Sequence, residues 1–181
     1  MSRFIEVLNA HRGEVTMRTL PAILSELTQR LEAERARIQV EFPYFFERRA
    51  PVTGATGLMD YECSFVGELN GTVDDFILGV IVPVRSLCPC SKEISDYGAH
   101  NQRGHVSIDV RSRKLPDGCH DFVWIEEIIA IAEESASSPL FPLLKRPDER
   151  HVTMHAYDHP VFVEDLVRAA AVRLRDDERI T

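Results

Sequence analysis

No stretch of the sequence is apolar for long enough to cross a membrane as a helix. The longest apolar stretches, such as residues 76–82, are far shorter than the roughly 20 residues that a membrane-spanning helix needs. The first residues also lack the apolar core of a secretory signal peptide. These two absences argue against membrane-spanning and secreted proteins, and we therefore expect a cytoplasmic protein without a membrane partner.

Positive charge is scarce as well. The 181 residues include 21 lysines and arginines against 29 aspartates and glutamates, which gives a formal net charge of -8. A protein that binds nucleic acid through its backbone needs a basic surface, so this composition argues against a nucleic-acid partner. The hydrophobic fraction of 44% is typical of a globular chain rather than a disordered one.

Cysteine is infrequent, at positions 63, 88, 90 and 119. Nothing else in the sequence resembles a small secreted scaffold that is held together by disulfides, so we expect reduced thiols. Cys63 lies in a strand-like segment, where a buried and inert thiol is the simpler interpretation. Cys88 and Cys90 lie instead in a polar segment with other reactive side chains.

Hydrophobic periodicity predicts a helix pair, then four strands, then a second helix pair. The helices are predicted at 4–8, 19–31, 125–132 and 163–174, and the strands at 38–42, 58–69, 76–84 and 104–110. Asn70-Gly71 is a hairpin signal between the second and third strands. The charged segment 143–150 is predicted to be a solvated connector. Successive strands with short connections favour an antiparallel α+β sheet over a βαβ fold.

The densest set of reactive side chains lies between the third and fourth predicted strands. Cys88, Cys90 and His100 fall in a polar loop that follows a buried strand, and loops held by rigid elements often carry chemistry. A thiolate and an imidazole are ligands of zinc and similar divalent metals, and a catalytic site adds about one more protein ligand. The Cys-x-Cys spacing differs from the Cys-x-x-Cys of structural zinc sites, so a structural site is disfavoured.

The residues alone leave other interpretations of this loop open. Cys88 and Cys90 can be two buried thiols beside a hydrogen-bonded histidine. They can also be a thiol–disulfide redox pair, although no thioredoxin-like pattern accompanies them. Cys88, His100 and Asn101 also match the nucleophile, base and orienting residue of a cysteine protease.

Two further sets of titratable residues lie downstream. Glu133 and Glu134 are adjacent at the end of a predicted helix, and at least one of them is expected to face solvent. His151, His155 and His159 recur at the spacing of one helical face, but a proline follows directly and no acidic ligand is evidently paired with them. We treat the histidine stripe as a weak candidate for a metal site.

Four segments of the chain carry a family resemblance. They are 87–103 (LCPCSKEISDYGAHNQR), 143–149 (LLKRPDE), 1–8 (MSRFIEVL) and 162–168 (FVEDLVR). These segments resemble the GTP cyclohydrolase IB family, and the likeness extends over nearly the whole chain. The resemblance implies the tunnelling fold, an antiparallel sheet with helix pairs on one side. Each subunit of that fold has two modules of strand, strand, helix, helix, strand, strand.

The resemblance also implies how the chain is organised. Residues 1–181 are expected to form a single bimodular domain, with about 1–69 as the remainder of the first module and about 70–181 as the start of the second. The chain would then lack the terminal strands at both ends and a C-terminal segment that carries closely spaced histidines in the family. The resemblance implies a homotetramer whose sites form between subunits.

The function implied by the resemblance is metal-dependent hydrolysis of GTP to formate and 7,8-dihydroneopterin triphosphate. This reaction is the first step of folate and tetrahydrofolate biosynthesis. Cys88 and His100 match the catalytic metal ligands of the family, and Glu134 is expected to be the third. Zinc, manganese or iron suits such a set, and a divalent metal lowers the pKa of water toward neutrality for attack on carbon 8 of guanine.

The same resemblance implies how GTP is bound. Glu149 matches the carboxylate that holds guanine, because its two oxygens can accept from the ring N–H and the exocyclic amino group together. The cations expected near the triphosphate are Lys92, Arg103, Lys145 and Arg146.

Two other functions are compatible with the resemblance. One is a purine or pterin enzyme of the same fold, such as a nitrile reductase, in which Cys88 attacks the substrate covalently and no metal is needed. The other is a truncated homologue without activity.

Overall fold

The computed structural model describes residues 2–13, 16–71, 73–116 and 119–181. The helices are α1 (Ser2–Ala10), α2 (Leu20–Leu31), α3 (Pro89–Ile94), α4 (Ile125–Ser135), α5 (Arg146–Asp158) and α6 (Val163–Arg175). The long strands are β1 (Arg35–Arg49), β2 (Thr56–Asn70), β3 (Val73–Leu87) and β4 (Asn101–Arg111). The short strands are β5 (Arg113–Lys114), β6 (His120–Asp121) and β7 (Ser138–Pro139). None of the helices in these ranges is long and apolar enough to span a membrane.

The four long strands form an antiparallel sheet in the order β1-β2-β3-β4. β1 and β2 pair along their whole length, from Arg35 opposite Asn70 to Arg49 opposite Thr56. In the turn between β2 and β3, Gly71 has a φ of 60°, a left-handed conformation that glycine adopts without steric cost. The predicted antiparallel α+β fold and the hairpin at Asn70-Gly71 are therefore confirmed.

Two helix pairs cover one face of this sheet. Leu20 and Leu24 of α2 pack against β2 residues such as Phe65, and Ile128 of α4 packs in the same core. α1 packs on α2, and α6 packs on α4. Gly67 lets α2 approach β2 closely, since a Cβ there would lie 2.5 Å from the Leu20 side chain.

At one end of the sheet, β2 and β3 separate and are no longer hydrogen-bonded to each other. β2 and β3 pair only as far as Glu62 opposite Ile81. Beyond that point β7 lies beside β3, with Val84 opposite Pro139 and Arg85 opposite Ser138. As a result the chain that leaves α4 runs along the last residues of β3.

One expectation about the C-terminal half is wrong. Most of the charged segment 143–150, predicted to be a connector, belongs to the first two turns of α5. The helix forms because Asp148 accepts a hydrogen bond from the Lys145 N–H at its start and because Val152 and Ala156 are buried. The second helical group therefore has three members rather than two.

Candidate functional site

Cys88 and His100 lie next to each other where β3 ends and β4 begins. The register places Leu87 opposite Asn101, and the N–H of Cys88 donates to the carbonyl of His100 at 3.1 Å. The N–H of His100 in turn donates to the hydroxyl oxygen of Ser91 at 3.0 Å. Both backbones are thus fixed, while the Cys88 residue is half-buried and the His100 residue is exposed.

The thiol of Cys88 lies at the start of the short helix α3. Pro89 occupies the first turn, where its missing N–H leaves no hydrogen bond unmade. Hydrogen bonds from Ser91 and Cys90 lower the pKa of the Cys88 thiol below its ordinary value. The thiolate is the form that binds metals and attacks electrophiles, so this environment suits either role.

The donor chemistry of Cys88 and His100 fits a divalent metal of the zinc type. The predicted third ligand, Glu134, does not lie with them, because its exposed carboxylate pairs with the Arg173 guanidinium of α6. Within the described parts of the chain, no three His, Cys, Asp or Glu side chains are arranged to hold a metal ion. The structure therefore brings two of the three predicted ligands together. Glu134 would have to leave Arg173 to join them.

Glu133 has the opposite environment to its neighbour Glu134. Its carboxylate is buried and pairs with the Arg48 guanidinium of β1 at 2.6 Å. Arg48 also lies 5.7 Å from the ring centres of Phe46 and Phe141. Burial raises the pKa of Glu133, although the charge of Arg48 acts in the other direction. The expectation that at least one of these two glutamates faces solvent is confirmed by Glu134.

A second pair of adjacent carboxylates begins α5. Asp148 is completely buried, and its carboxylate oxygens accept hydrogen bonds from the N–H groups of Val52, Thr53 and Lys145. The Thr53 hydroxyl donates a fourth, at 2.7 Å. Glu149 is exposed beside it. Sequence reasoning identified Glu149 and overlooked Asp148, and the Asp at the third position of a helix was the signal that could have found it.

The four predicted phosphate-binding cations lie on three different elements. Lys92 of α3 donates to the carbonyl of Tyr157 at 2.5 Å and lies 4.1 Å from the centre of its ring, so it links α3 to α5. Arg103 of β4 lines a cavity of about 440 Å³ where β2 and β3 separate. Lys145 and Arg146 are exposed at the start of α5, next to Glu149.

His151 and His155 lie on α5, and His159 follows directly after the helix. The rings of His151 and His155 are parallel within 9°, with centres 5.9 Å apart, and the ring centre of His159 lies 4.2 Å from that of His155. Burial and the two neighbouring histidines lower the pKa of His155. The arrangement is a stack of rings along one face of the helix.

These groups meet at one end of the sheet. Because the strands are antiparallel, the turn between β1 and β2 and the loop between β3 and β4 lie at the same end. β7 holds the chain after α4 there, since the Leu87 N–H donates to the Ser137 hydroxyl at 3.0 Å. Asp148 holds the start of α5 against the turn between β1 and β2. A thiol, an imidazole, several carboxylates and the four predicted cations are thus carried on loops, helix ends and strand ends that a rigid sheet supports.

Known proteins are similar to this chain over its whole length. A family model described as type I GTP cyclohydrolase folE2 matches residues 1–181. A relative from Methylococcus capsulatus named GTP cyclohydrolase FolE2 is 56% identical over 180 residues, which cover 99% of this chain and 65% of the relative. The protein of the same name from Nitrosococcus oceani is 50% identical over 181 residues, which cover 100% of this chain and 65% of the relative. For Geobacter sulfurreducens the identity is 52%, with 100% of this chain and 67% of the relative covered.

Proposed function

Because the chain belongs to the type I GTP cyclohydrolase folE2 family, we propose that it serves the hydrolysis of GTP to formate and 7,8-dihydroneopterin triphosphate, at the start of folate biosynthesis. The chain spans 65% of the length of the first two relatives described above. The observation that carries the proposal is the pairing of Cys88 with His100 at the end of β3, in the segment that most resembles the family.

In the proposed site Cys88, His100 and Glu134 hold a divalent metal, which is zinc, manganese or iron. When bound, the metal supplies Lewis acidity for the attack of water on carbon 8 of guanine. Cys88 contributes a thiol whose pKa is already lowered by hydrogen bonds from Ser91 and Cys90. His100 contributes an exposed imidazole on a backbone that Ser91 holds in place.

The substrate is proposed to bind at the start of α5. Glu149 accepts hydrogen bonds from the guanine N–H and the exocyclic amino group, a bidentate and charge-assisted pair. Lys145 and Arg146, which are exposed in the same turn, are proposed to bind the phosphates, with Arg103 and Lys92 as further candidates. Residues from another subunit would complete the site in a homotetramer.

The domain organisation is part of the same proposal. Residues 1–69 would contribute α1, α2, β1 and most of β2 to the first module, and residues 70–181 would begin the second. The packing of α1 on α2 and of α6 on α4, each pair on one side of the sheet, supports this division.

A second function is favoured by the lowered pKa of Cys88 together with the pairing of Glu134 with Arg173. In that case the Cys88 thiol adds to the nitrile carbon of a purine or pterin substrate and forms a thioimide, with the thiol proton passing to the nitrile nitrogen and no metal required. Metal dependence separates the two functions.

The test measures formate release from GTP by protein from which metal has been removed with a chelator, with and without added Mn²⁺ or Zn²⁺. The cyclohydrolase function predicts that formate appears only after metal is added. Formate release in the presence of excess chelator would contradict the metal requirement. A folded, assembled protein that releases no formate with any metal would contradict the function itself.

A further inference from the structure

The most completely bonded carboxylate near the proposed substrate site is that of Asp148. One of its oxygens accepts from the N–H groups of Val52 and Thr53, both at 2.9 Å. The other accepts from the Thr53 hydroxyl at 2.7 Å and from the Lys145 N–H at 2.9 Å. The donors come from two places in the chain, the turn after β1 and the start of α5, so one carboxylate links them.

Such a carboxylate is stable only because each oxygen has two donors. Burial alone would raise the pKa of Asp148, but the hydrogen bonds from Thr53, Lys145 and Val52 outweigh it and hold the pKa well below its ordinary value. All four donors are uncharged groups, so the carboxylate is stabilised by the directions of these hydrogen bonds and not by a neighbouring cation. A group held from four directions has little freedom to turn.

The turn that supplies these donors is itself fixed. The Ala50 N–H donates to the carbonyl of Ala55 at 2.9 Å, and the Gly54 N–H donates to the carbonyl of Ala50 at 3.0 Å. Gly54 has a φ of 68°, which favours glycine. A second contact lies just beyond the turn, where a Cβ on Gly57 would be 3.0 Å from Pro142. The end of the β1–β2 hairpin therefore provides a firm surface for the chain that enters α5.

We propose that Asp148 is a positioning residue that fixes the first turn of α5 on the β1–β2 turn and so orients the carboxylate of Glu149 toward guanine. The inference rests on the proposed function, since Glu149 is there the guanine-binding carboxylate. Two parallel hydrogen bonds to one carboxylate require a set orientation as well as proximity. The backbone of Glu149 is held in the same turn, with its N–H donating to the Lys145 carbonyl at 2.9 Å.

The experiment compares the binding of GTP and ITP to metal-free protein by calorimetry. ITP lacks the exocyclic amino group but has the same ring N–H and triphosphate, so the ratio of the two affinities reports on the contact between that amino group and Glu149. The wild-type protein is expected to bind GTP more tightly. Asp148→Asn keeps the size of the side chain but replaces one acceptor oxygen with an NH2 donor. This variant should reduce GTP affinity by about tenfold. The preference for GTP over ITP should then largely disappear.

Glu127→Gln is the matched control. Glu127 occupies the corresponding third position of α4 and accepts from the Trp124 N–H at 2.8 Å, but its other partner is Arg179. This variant should lower thermal stability as Asp148→Asn does, and it should leave the GTP-to-ITP ratio unchanged. A merely structural role for Asp148 predicts the same ratio in both variants.

A second pair of variants applies if Asp148→Asn does not fold. Thr53→Ala removes the hydroxyl that donates to Asp148 and accepts from the Ala55 N–H, and Thr53→Ser restores both hydrogen bonds. The alanine variant should lower the GTP-to-ITP ratio, and the serine variant should recover it.

Two results would overturn the inference. One is a folded Asp148→Asn protein, or a Thr53→Ala protein, with the wild-type ratio. The other is a wild-type protein that binds no guanine nucleotide. A wild-type protein that binds GTP and releases no formate with added metal would contradict the proposed function instead, and the ratios would still decide the role of Asp148.

Discussion

At the scale of single residues, each of two pairs of neighbouring carboxylates has one buried member and one exposed member. Glu133 and Asp148 are buried and bonded to the β1–β2 hairpin, while Glu134 and Glu149 are exposed. Adjacent residues on a helix point about 100° apart, so one faces the core when the other faces solvent. The sequence indicated Glu133 and Glu134 as a pair, but of the second pair it indicated only Glu149. Which member is buried depends on Arg48 and Thr53, whose positions are set by the tertiary fold.

Replacing Arg48 by Met should destabilise the protein by about 3 kcal/mol, because the buried carboxylate of Glu133 would lose its charged partner. Arg49→Met is the matched control, since Arg49 is exposed and 3.8 Å from Glu47, and it should change stability by less than about 0.5 kcal/mol. The measurement is the free energy of unfolding in urea. An Arg48→Met protein as stable as the wild type would contradict the buried pair.

Asp148 should make stability depend on pH on the acidic side. Its pKa is lowered in the folded protein, so its contribution is complete above the ordinary aspartate pKa of about 3.9 and declines as the pH falls toward the folded value. Unfolding of the wild type and of Asp148→Asn should therefore differ most near pH 7 and converge at low pH. A difference that does not change with pH would argue against an ionised Asp148.

At the scale of elements, hydrophobic periodicity was sufficient where an element buries a continuous stripe. The predicted α2, α4 and α6 are present, and so are all four long strands. β1 extends well beyond the predicted 38–42, because alternate residues such as Tyr44 and Phe46 still pack inward, although the outward face there includes the exposed Phe45. α5 was not predicted because only Val152 and Ala156 bury apolar side chains, which is too few for a periodic signal. The third buried residue of the helix is the polar Asp148 in its first turn.

The close contact of α2 with β2 predicts the effect of a single methyl group. Gly67→Ala would place a Cβ 2.5 Å from one atom of Leu20 and 2.9 Å from another, so α2 would have to move and the protein should lose about 1–3 kcal/mol. Gly104→Ala is the control, since a Cβ on this β4 residue meets nothing within 4 Å. Both variants can be compared by urea unfolding. Equal stability of the two would contradict the packing described for α2.

At the scale of the whole molecule, the antiparallel order of the sheet explains where the candidate site lies. The β1–β2 turn, the β3–β4 loop, the segment after α4 and the start of α5 all arrive at one end. Cys88 and His100 are twelve positions apart in the sequence and become neighbours because β3 and β4 pair up to Leu87 and Asn101. The sequence motif named these residues. Only the strand register explains their proximity, and the third ligand stays a prediction.

The most direct test of the proposed metal centre is the absorption spectrum of the cobalt-loaded protein. Thiolate ligation gives Co²⁺ an intense near-ultraviolet charge-transfer band, so the band reports whether a cysteine binds the metal. The band should be present in the wild type and in Cys90→Ala, whose exposed thiol is the matched control. It should be absent from Cys88→Ala. A band that persists in Cys88→Ala, or a wild-type protein that binds Co²⁺ without the band, would contradict the assignment of Cys88 as a metal ligand.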